Sequence, residues 1–172
     1  MFEVINPRFN DLISYHQSLS MDGSYESLHP ELYQPDRILY LEGAMQSSLY
    51  GDEAYHESLV HPGMFSHPDP RRVAIIGGGE GATLREVLKH RTVEKAVMIE
   101  IDQEMVEVSH EALPSWSDCS NLVDSADWCV EDKRVDMYYE DALAWFINRF
   151  GEESNSLKGT EAPFDVIIMD AL

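Results

Sequence analysis

The stretch Val73–His90, VAIIGGGEGATLREVLKH, joins a short apolar segment to a helical pattern through a run of glycines. Val73–Ile76 is typical of a buried strand, whereas Leu84, Val87 and Leu88 recur at the spacing of one helix face. The stretch therefore predicts a strand, a tight turn and a helix in that order.

The turn itself resembles a nucleotide-binding loop. Gly77, Gly79 and Ala82 match the G-x-G-x-x-G/A pattern in the strand–turn–helix context that it requires. Such turns usually hold a phosphate at the helix N-terminus, which is partly positive. Glu80 places a negative charge in the same turn. Either Glu80 points away from the ligand, or the ligand group beside it is a cation.

The region before this stretch is predicted to be a small β unit. Arg37–Tyr40 and Ala44–Ser48 flank a glycine-containing turn and indicate a hairpin. Residues 53–62 predict a short helix that stops at Pro62. The proline-rich segment that follows suggests two domains: residues 1–66, with the hairpin and a linker helix, and residues 67–172, which bind a nucleoside.

From Val73 onward, strand and helix patterns alternate. The later strands are predicted at Ala96–Ile101, Val135–Tyr139 and Phe164–Met169, and the later helices at Gln103–Leu113 and Ala142–Phe150. Alternating apolar strands and helices are typical of an α/β fold whose parallel sheet has helices on both faces. The sequence therefore predicts a Rossmann-like sheet of about four strands.

Composition excludes some classes of partner. The 172-residue chain carries a formal charge of −20, which argues against nucleic acid because binding phosphates requires a basic face. It contains no apolar run long enough for a membrane span, and its first residues do not begin a signal peptide. We therefore expect the cytoplasm. Cys119 and Cys129 are expected to be free and reduced, without a zinc site.

Three acids occur where predicted strands end. Glu100 lies 21 residues beyond Gly79, where nucleoside-binding folds place the acid that holds the ribose. Asp141 opens a helix, so it is either an N-cap or a hydrogen-bond acceptor for adenine. Asp170 ends the last strand, at the edge where open α/β sheets bind ligands.

Together these segments resemble the polyamine aminopropyltransferases, which are the spermidine, spermine and thermospermine synthases. The resemblance covers about three quarters of the chain, Leu39–Leu172, with a long insertion between Pro114 and Arg134. The segments that carry it are LEGAMQS, DEAYHESLVHP, FSHPDPRRVAIIGGGEGATLREVLKH, VEKAVMIEIDQEMV, EDALAWF and FDVIIMDAL. GGGEG and MQS favour the thermospermine synthase branch.

The resemblance implies a class I methyltransferase-type fold and decarboxylated S-adenosylmethionine as the co-substrate, with no metal or other cofactor. The ammonium of this donor would meet Glu80. The implied roles are donor binding for Gln46, Gly77, Gly79, Glu80, Glu100, Asp141 and Ala142, contact with donor and acceptor for Tyr55 and His56, and catalysis for Asp170 as the first acid of a D-x-x-D-P motif. Taken alone, Tyr55 is consistent with a core residue, and a histidine in a proline-bounded helix, such as His56, is more often structural than a ligand.

The resemblance also implies a small-molecule polyamine acceptor and a homo-oligomer. The chain stops two residues after Asp170, before the second half of the motif, so we interpret it as truncated. Two alternatives remain open. One is an S-adenosylmethionine-dependent methyltransferase, against which Glu80 argues. The other is a non-catalytic subunit related to the aminopropyltransferases.

Overall fold

A computed structural model describes residues 37–41, 43–151 and 162–171. The chain divides into two compact units, residues 1–53 and 54–172. In the first unit, β1 (Ile38–Leu41) and β2 (Ala44–Ser48) pair antiparallel, as predicted from the hairpin pattern. Gly43 has a φ of +84° in the turn between them, a conformation that favours glycine. The predicted domain boundary after residue 66 coincides with the end of a helix and stays a prediction.

That helix, α1 (Asp52–Ser66), is longer than the sequence indicated. The prediction that it stops at Pro62 is wrong, because the helix continues through the proline. Val60 and Met64, one turn apart on either side of Pro62, are fully buried in the core. A proline inside a helix costs about 3 kcal/mol, and burying two large apolar side chains contributes a similar or larger amount, about 1.5–3 kcal/mol each. Packing therefore outweighs the local preference.

The second unit contains a four-stranded parallel sheet, as predicted. Its strands follow the order β5-β4-β3-β6. The strands are β3 (Arg72–Gly77), β4 (Lys95–Glu100), β5 (Val135–Tyr139) and β6 (Val166–Asp170), and the remaining helices are α2 (Ala82–Leu88), α3 (Gln103–Ala112) and α4 (Ala142–Phe150). No helix within the described part of the chain is both long enough and apolar enough to span a membrane.

Alternate side chains of the central strand β4 enter two different cores. Ala96 and Met98 belong to a cluster that includes α1 and α2 residues. Val97 and Ile99 belong to a second cluster around Trp145 of α4. Because successive side chains of a strand point to opposite faces, helices cover both faces of the sheet. This arrangement confirms the predicted fold class.

The insertion between α3 and β5 is an ordered loop with two short 3₁₀ turns, Pro114–Ser117 and Cys129–Glu131. The expectation of free thiols is wrong, because Cys119 and Cys129 form a disulfide. An antiparallel bridge between Asp118 and Trp128 draws the two arms of the loop together and brings the cysteine Cα atoms to 5.0 Å. The nine residues between the two cysteines gave no sign of this proximity in the sequence. The same loop is attached to α2, where Arg85 Nη1 donates to the Ser115 and Trp116 carbonyls.

Candidate active site

Three strands deliver their predicted site residues to one edge of the sheet. Gly77 ends β3, Glu100 ends β4 and Asp170 ends β6, and Gly77 pairs directly with Asp170 in the register. Parallel strands have their carboxyl ends on the same side, where open α/β sheets bind ligands. Residues that are far apart in sequence therefore converge at the glycine turn.

The glycine turn allows two of these acids to approach the backbone. Gly78 has a φ of +77°, and a Cβ at this position would lie 2.9 Å from Asp170 Oδ2. A Cβ on Gly79 would lie 3.2 Å from Glu100 Oε2 and 2.9 Å from Met105 Cγ. A side chain on Gly78 would displace the Asp170 carboxylate, and one on Gly79 would displace Met105 and crowd Glu100. The turn residues thus set how closely Asp170 and Glu100 line the cleft.

A histidine and two acids form the centre of the site. His56 Nε2 lies 3.2 Å from Glu80 Oε1 and 3.9 Å from Asp170 Oδ2. The three side chains are only 1%, 13% and 10% exposed. Each offers one potential ligand atom, and these atoms lie within 4.8 Å of one another, so the group has the geometry to hold a cation or a metal ion. The site is therefore an anionic cleft that favours a positively charged ligand.

Tyr55 lies at the border of this cleft. Its ring meets that of His56 edge-on, with centroids 4.9 Å apart, and it is more than half exposed. The reading of Tyr55 as a core residue is therefore wrong. Partial burial, followed by the charges of Asp170 and Glu80, raises the pKa of the Tyr55 hydroxyl, which is protonated at neutral pH even without this rise. Tyr55 can thus donate a hydrogen bond at the mouth of the cleft.

Sequence reasoning missed Thr83, which holds Asp170 in position. The Thr83 side chain is fully buried in α2, and its Oγ1 donates to Asp170 Oδ2 at 2.6 Å. Burial, and then the charge of Glu80, raises the pKa of Asp170, while the Thr83 hydrogen bond and His56 oppose the rise. A threonine inside a helix gives no pattern that would reveal this role. Only the register that brings β6 beside β3 places the two residues together.

Glu100 is buried against the turn and oriented by backbone. Its Oε1 accepts from the Asp102 amide at 3.0 Å. Burial raises the pKa of its carboxyl, and backbone hydrogen bonds from Asp102 and Ile101 partly offset this rise. A fixed carboxylate at the end of the second strand of such a sheet is suited to accept hydrogen bonds from a pair of hydroxyl groups.

Two predicted donor contacts have other observed partners. Asp141 caps α4, accepting from the Ala144 amide at 2.7 Å, so the N-cap interpretation is confirmed. A contact from Asp141 or Ala142 to adenine stays a prediction. Gln46 lies on β2 in the first unit, where its Nε2 donates to the Ala44 carbonyl at 3.5 Å. Its predicted role toward the donor also stays untested.

The parallel sheet, the glycine turn and the strand-end acids define a Rossmann-like α/β domain with an acidic group at the carboxyl edge of its sheet. The chain belongs to the spermine/spermidine synthase family, since the family's Spermine/spermidine synthase domain matches residues 52–172. It is 43% identical over 144 residues to the polyamine aminopropyltransferase of Thermococcus onnurineus, covering 82% of this chain and 44% of that protein. It is 46% identical over 136 residues to polyamine aminopropyltransferase 1 of Hyperthermus butylicus, covering 78% and 40%.

Solved structures give the same family. Spermidine synthase from Thermotoga maritima superposes with a TM-score of 0.62 at 34% identity, covering 78% of this chain and 40% of that one. A spermidine synthase in complex with the transition-state analogue AdoDATO gives a TM-score of 0.63 at 33% identity, covering 78% and 39%. The chain spans about 40% of the length of the relatives that it matches. The family inferred from the sequence motifs is thereby confirmed.

Proposed function

We propose that this chain provides the donor site of a polyamine aminopropyltransferase. Its donor is decarboxylated S-adenosylmethionine, and the transfer to a putrescine or spermidine amine releases methylthioadenosine. The family membership and the relatives named polyamine aminopropyltransferase support this reaction. The observation that carries the proposal is the Glu80 carboxylate, largely buried at the glycine turn beside His56 and Asp170.

Charge explains why this donor fits better than ordinary S-adenosylmethionine. The decarboxylated form ends in an ammonium alone, which the acids of the cleft attract. The carboxylated form would bring a negative charge toward Glu80 and Asp170, whose side chains are 13% and 10% exposed. A hydrogen bond between charged partners contributes about 1.5–3 kcal/mol, or roughly ten- to a hundred-fold in affinity. Attraction of one ligand and repulsion of the other both add to the selectivity.

The chemistry requires a neutral amine next to a sulfonium. The nitrogen lone pair of the acceptor forms a bond to the methylene carbon beside sulfur. The carbon–sulfur bond breaks, its electron pair stays on sulfur, and neutral methylthioadenosine leaves. Aliphatic amines of this kind are protonated at neutral pH, with lysine's pKa of about 10.4 as a guide. Asp170 accepts the amine proton and helps to hold the acceptor in line with the leaving group.

The finer assignments belong to the same proposal. We assign the chain to the thermospermine synthase branch, which the segments GGGEG and MQS favour. The reaction as written uses no metal and no cofactor besides the co-substrate. The cytoplasm and a homo-oligomeric state are what the family resemblance implies for the protein.

Calorimetric titration of the 172-residue chain with both ligands tests the proposal. We expect decarboxylated S-adenosylmethionine to bind about ten- to a hundred-fold more tightly than the carboxylated form. Glu80→Gln should weaken the first, strengthen the second and so narrow the ratio. Glu100→Ala should weaken both by the same factor, because the ribose is common to both. Glu94→Gln is the matched control, since this acid lies at the opposite end of β4 in an exposed ion pair with Arg71.

Two results would overturn the assignment. Tighter binding of the carboxylated ligand would favour a methyltransferase. Failure of the folded chain to bind either ligand would remove the donor site altogether.

A further inference from the structure

A second group of potential metal ligands lies between α1 and α2. Glu57 and His61 stand one turn apart on α1, and Glu86 lies on α2. Each offers one ligand atom, and the three atoms lie within 4.8 Å of one another. None of these side chains takes part in the aminopropyl transfer proposed above. The group combines one imidazole with two carboxylates contributed by two helices.

We propose that Glu57, His61 and Glu86 bind a Zn²⁺ ion that links α1 to α2. His61 Nε2 lies 3.5 Å from Glu86 Oε2. Two ligand atoms of a tetrahedral zinc ion stand about 3.3 Å apart, given bonds of about 2.0–2.1 Å. These two atoms therefore already have nearly the required separation. Glu57 is exposed, so its side chain is free to turn toward the third position, and water supplies the fourth.

His61 is oriented as a metal-binding histidine should be. Its Nδ1 lies 3.0 Å from His90 Nε2, so that one of the two nitrogens donates and the other accepts. With the proton on His61 Nδ1, the Nε2 lone pair faces Glu86. The Phe65 ring packs edge-on against His90, with centroids 5.2 Å apart, and restricts its movement. Such outer partners fix the tautomer and ring orientation of zinc-binding histidines.

Two cationic side chains, Arg85 and Lys89, contact the Glu86 carboxylate in this structure. Glu86 is completely buried, Arg85 Nε contacts its Oε1 at 2.9 Å, and Lys89 Nζ lies 2.7 Å from its Oε2. The Lys89 side chain is 38% exposed and can leave toward solvent, whereas Arg85 is nearly buried. Lys89 donates its hydrogen bond to Oε1 at 2.8 Å, so a metal ion at Oε2 would compete with the nearby ammonium charge. Removing the lysine charge should therefore increase metal affinity.

The ligand set favours zinc over the alkaline-earth ions. Mg²⁺ and Ca²⁺ prefer six or more oxygen ligands, whereas imidazole nitrogen suits Zn²⁺ and its transition-metal neighbours. Co²⁺ can replace zinc as a coloured probe, because its absorption spectrum reports the coordination geometry.

The test is titration of the metal-free 172-residue chain with Zn²⁺ and Co²⁺, without reductant so that the Cys119–Cys129 disulfide stays closed. We expect one ion per chain, a tetrahedral Co²⁺ spectrum, a higher Tm with zinc, and little effect of Mg²⁺. His61→Ala and Glu57→Gln should each lower zinc affinity by at least roughly ten-fold. Both positions lie at least partly in solvent, which favours correct folding, and far-UV circular dichroism checks it. Lys89→Gln should bind zinc more tightly than the unmodified chain.

Two controls locate the ion. His67→Ala removes another partly exposed histidine and should leave the titration unchanged. His56→Ala removes the histidine of the donor cleft, whose acids have similar ligand geometry, and should also leave the His61-dependent binding intact. Zinc binding that is lost in His56→Ala and kept in His61→Ala would place the ion in the donor cleft and overturn the proposal. Absence of stoichiometric binding, or equal affinity in His61→Ala and the unmodified chain, would overturn it as well.

Discussion

Replacing Thr83 with valine should raise the pKa of Asp170. The substitution keeps the β-branched shape but removes the hydroxyl that donates to Asp170 Oδ2 at 2.6 Å. A hydrogen bond to a charged group contributes about 1.5–3 kcal/mol. Its loss removes stabilisation from the charged carboxylate and not from the neutral acid, so the pKa of Asp170 should rise further. This rise adds to the one that burial and the Glu80 charge already produce.

The sign of the effect can be followed in two properties. The pKa of Asp170 is higher in the folded state than in the unfolded state. Its contribution to the free energy of unfolding is therefore fully present below the unfolded-state pKa and is lost as the pH rises through the folded-state pKa. Because Thr83→Val raises the folded-state pKa further, it should lower the free energy of unfolding at neutral pH. The ionised carboxylate also attracts the donor ammonium, so donor affinity should fall as the pH decreases through the pKa of Asp170. In the variant this decrease should begin at a higher pH.

Carbon-13 NMR of protein labelled at the aspartate carboxyls measures the pKa directly, with Asp170→Asn identifying the signal. Calorimetric titration with decarboxylated S-adenosylmethionine over the same pH range gives the second property. Thr92→Val is the matched control, because this threonine is exposed in the turn before β4. An unchanged pKa of Asp170 in Thr83→Val would refute the role assigned to the hydroxyl.

Two further predictions concern the insertion. Burial alone would raise the pKa of Asp132, but hydrogen bonds from Arg134 and Ser125 lower it from 3.8 to about 2. The ionised Asp132 therefore stabilises the fold above pH 3.8, and this stabilisation is lost as the pH falls toward 2. Asp132→Asn should lower the free energy of unfolding in urea by about 1.5–3 kcal/mol at pH 7 and remove its decrease at acid pH. An unchanged decrease at acid pH in the variant would contradict the assignment. Opening the disulfide, which joins residues ten positions apart, should lower the free energy of unfolding by about 3 kcal/mol. The oxidised chain should show no free thiol when it is unfolded. Equal free energies of unfolding for the oxidised chain and a Cys119→Ser/Cys129→Ser variant would contradict the predicted contribution of the disulfide.

Local patterns predicted the elements and the acids at strand ends. Val135–Tyr139 and Ala142–Phe150 were predicted with the bounds that the structure shows, because apolar strands and amphipathic helices have distinct periodicities. Glu100 and Asp170 were found because parallel strands end at a common edge. These features follow from the chain order of elements and need no knowledge of side-chain contacts.

Features that depend on packing could not be predicted in this way. Pro62 stays inside α1 because core contacts on both sides of it outweigh its local cost. The disulfide requires the loop bridge between Asp118 and Trp128, which no spacing rule reveals. Thr83 is identified only through the register of β6 against β3. In each case the deciding contact joins residues that the sequence keeps apart.

The division of labour within the glycine turn bears on how the cleft could change its ligand during evolution. The glycines fix the path of the backbone, because a side chain on Gly78 would collide with Asp170 and one on Gly79 with Met105. Glu80, which lies between Gly79 and Gly81, supplies the negative charge of the turn. Its own φ is not positive, so the turn does not require a glycine at this position. Substitution at this one codon can therefore alter the charge offered to a ligand while the sheet and both cores stay intact. The conformation of the turn and the charge that it presents depend on different residues, so the same fold can present different charges to a ligand.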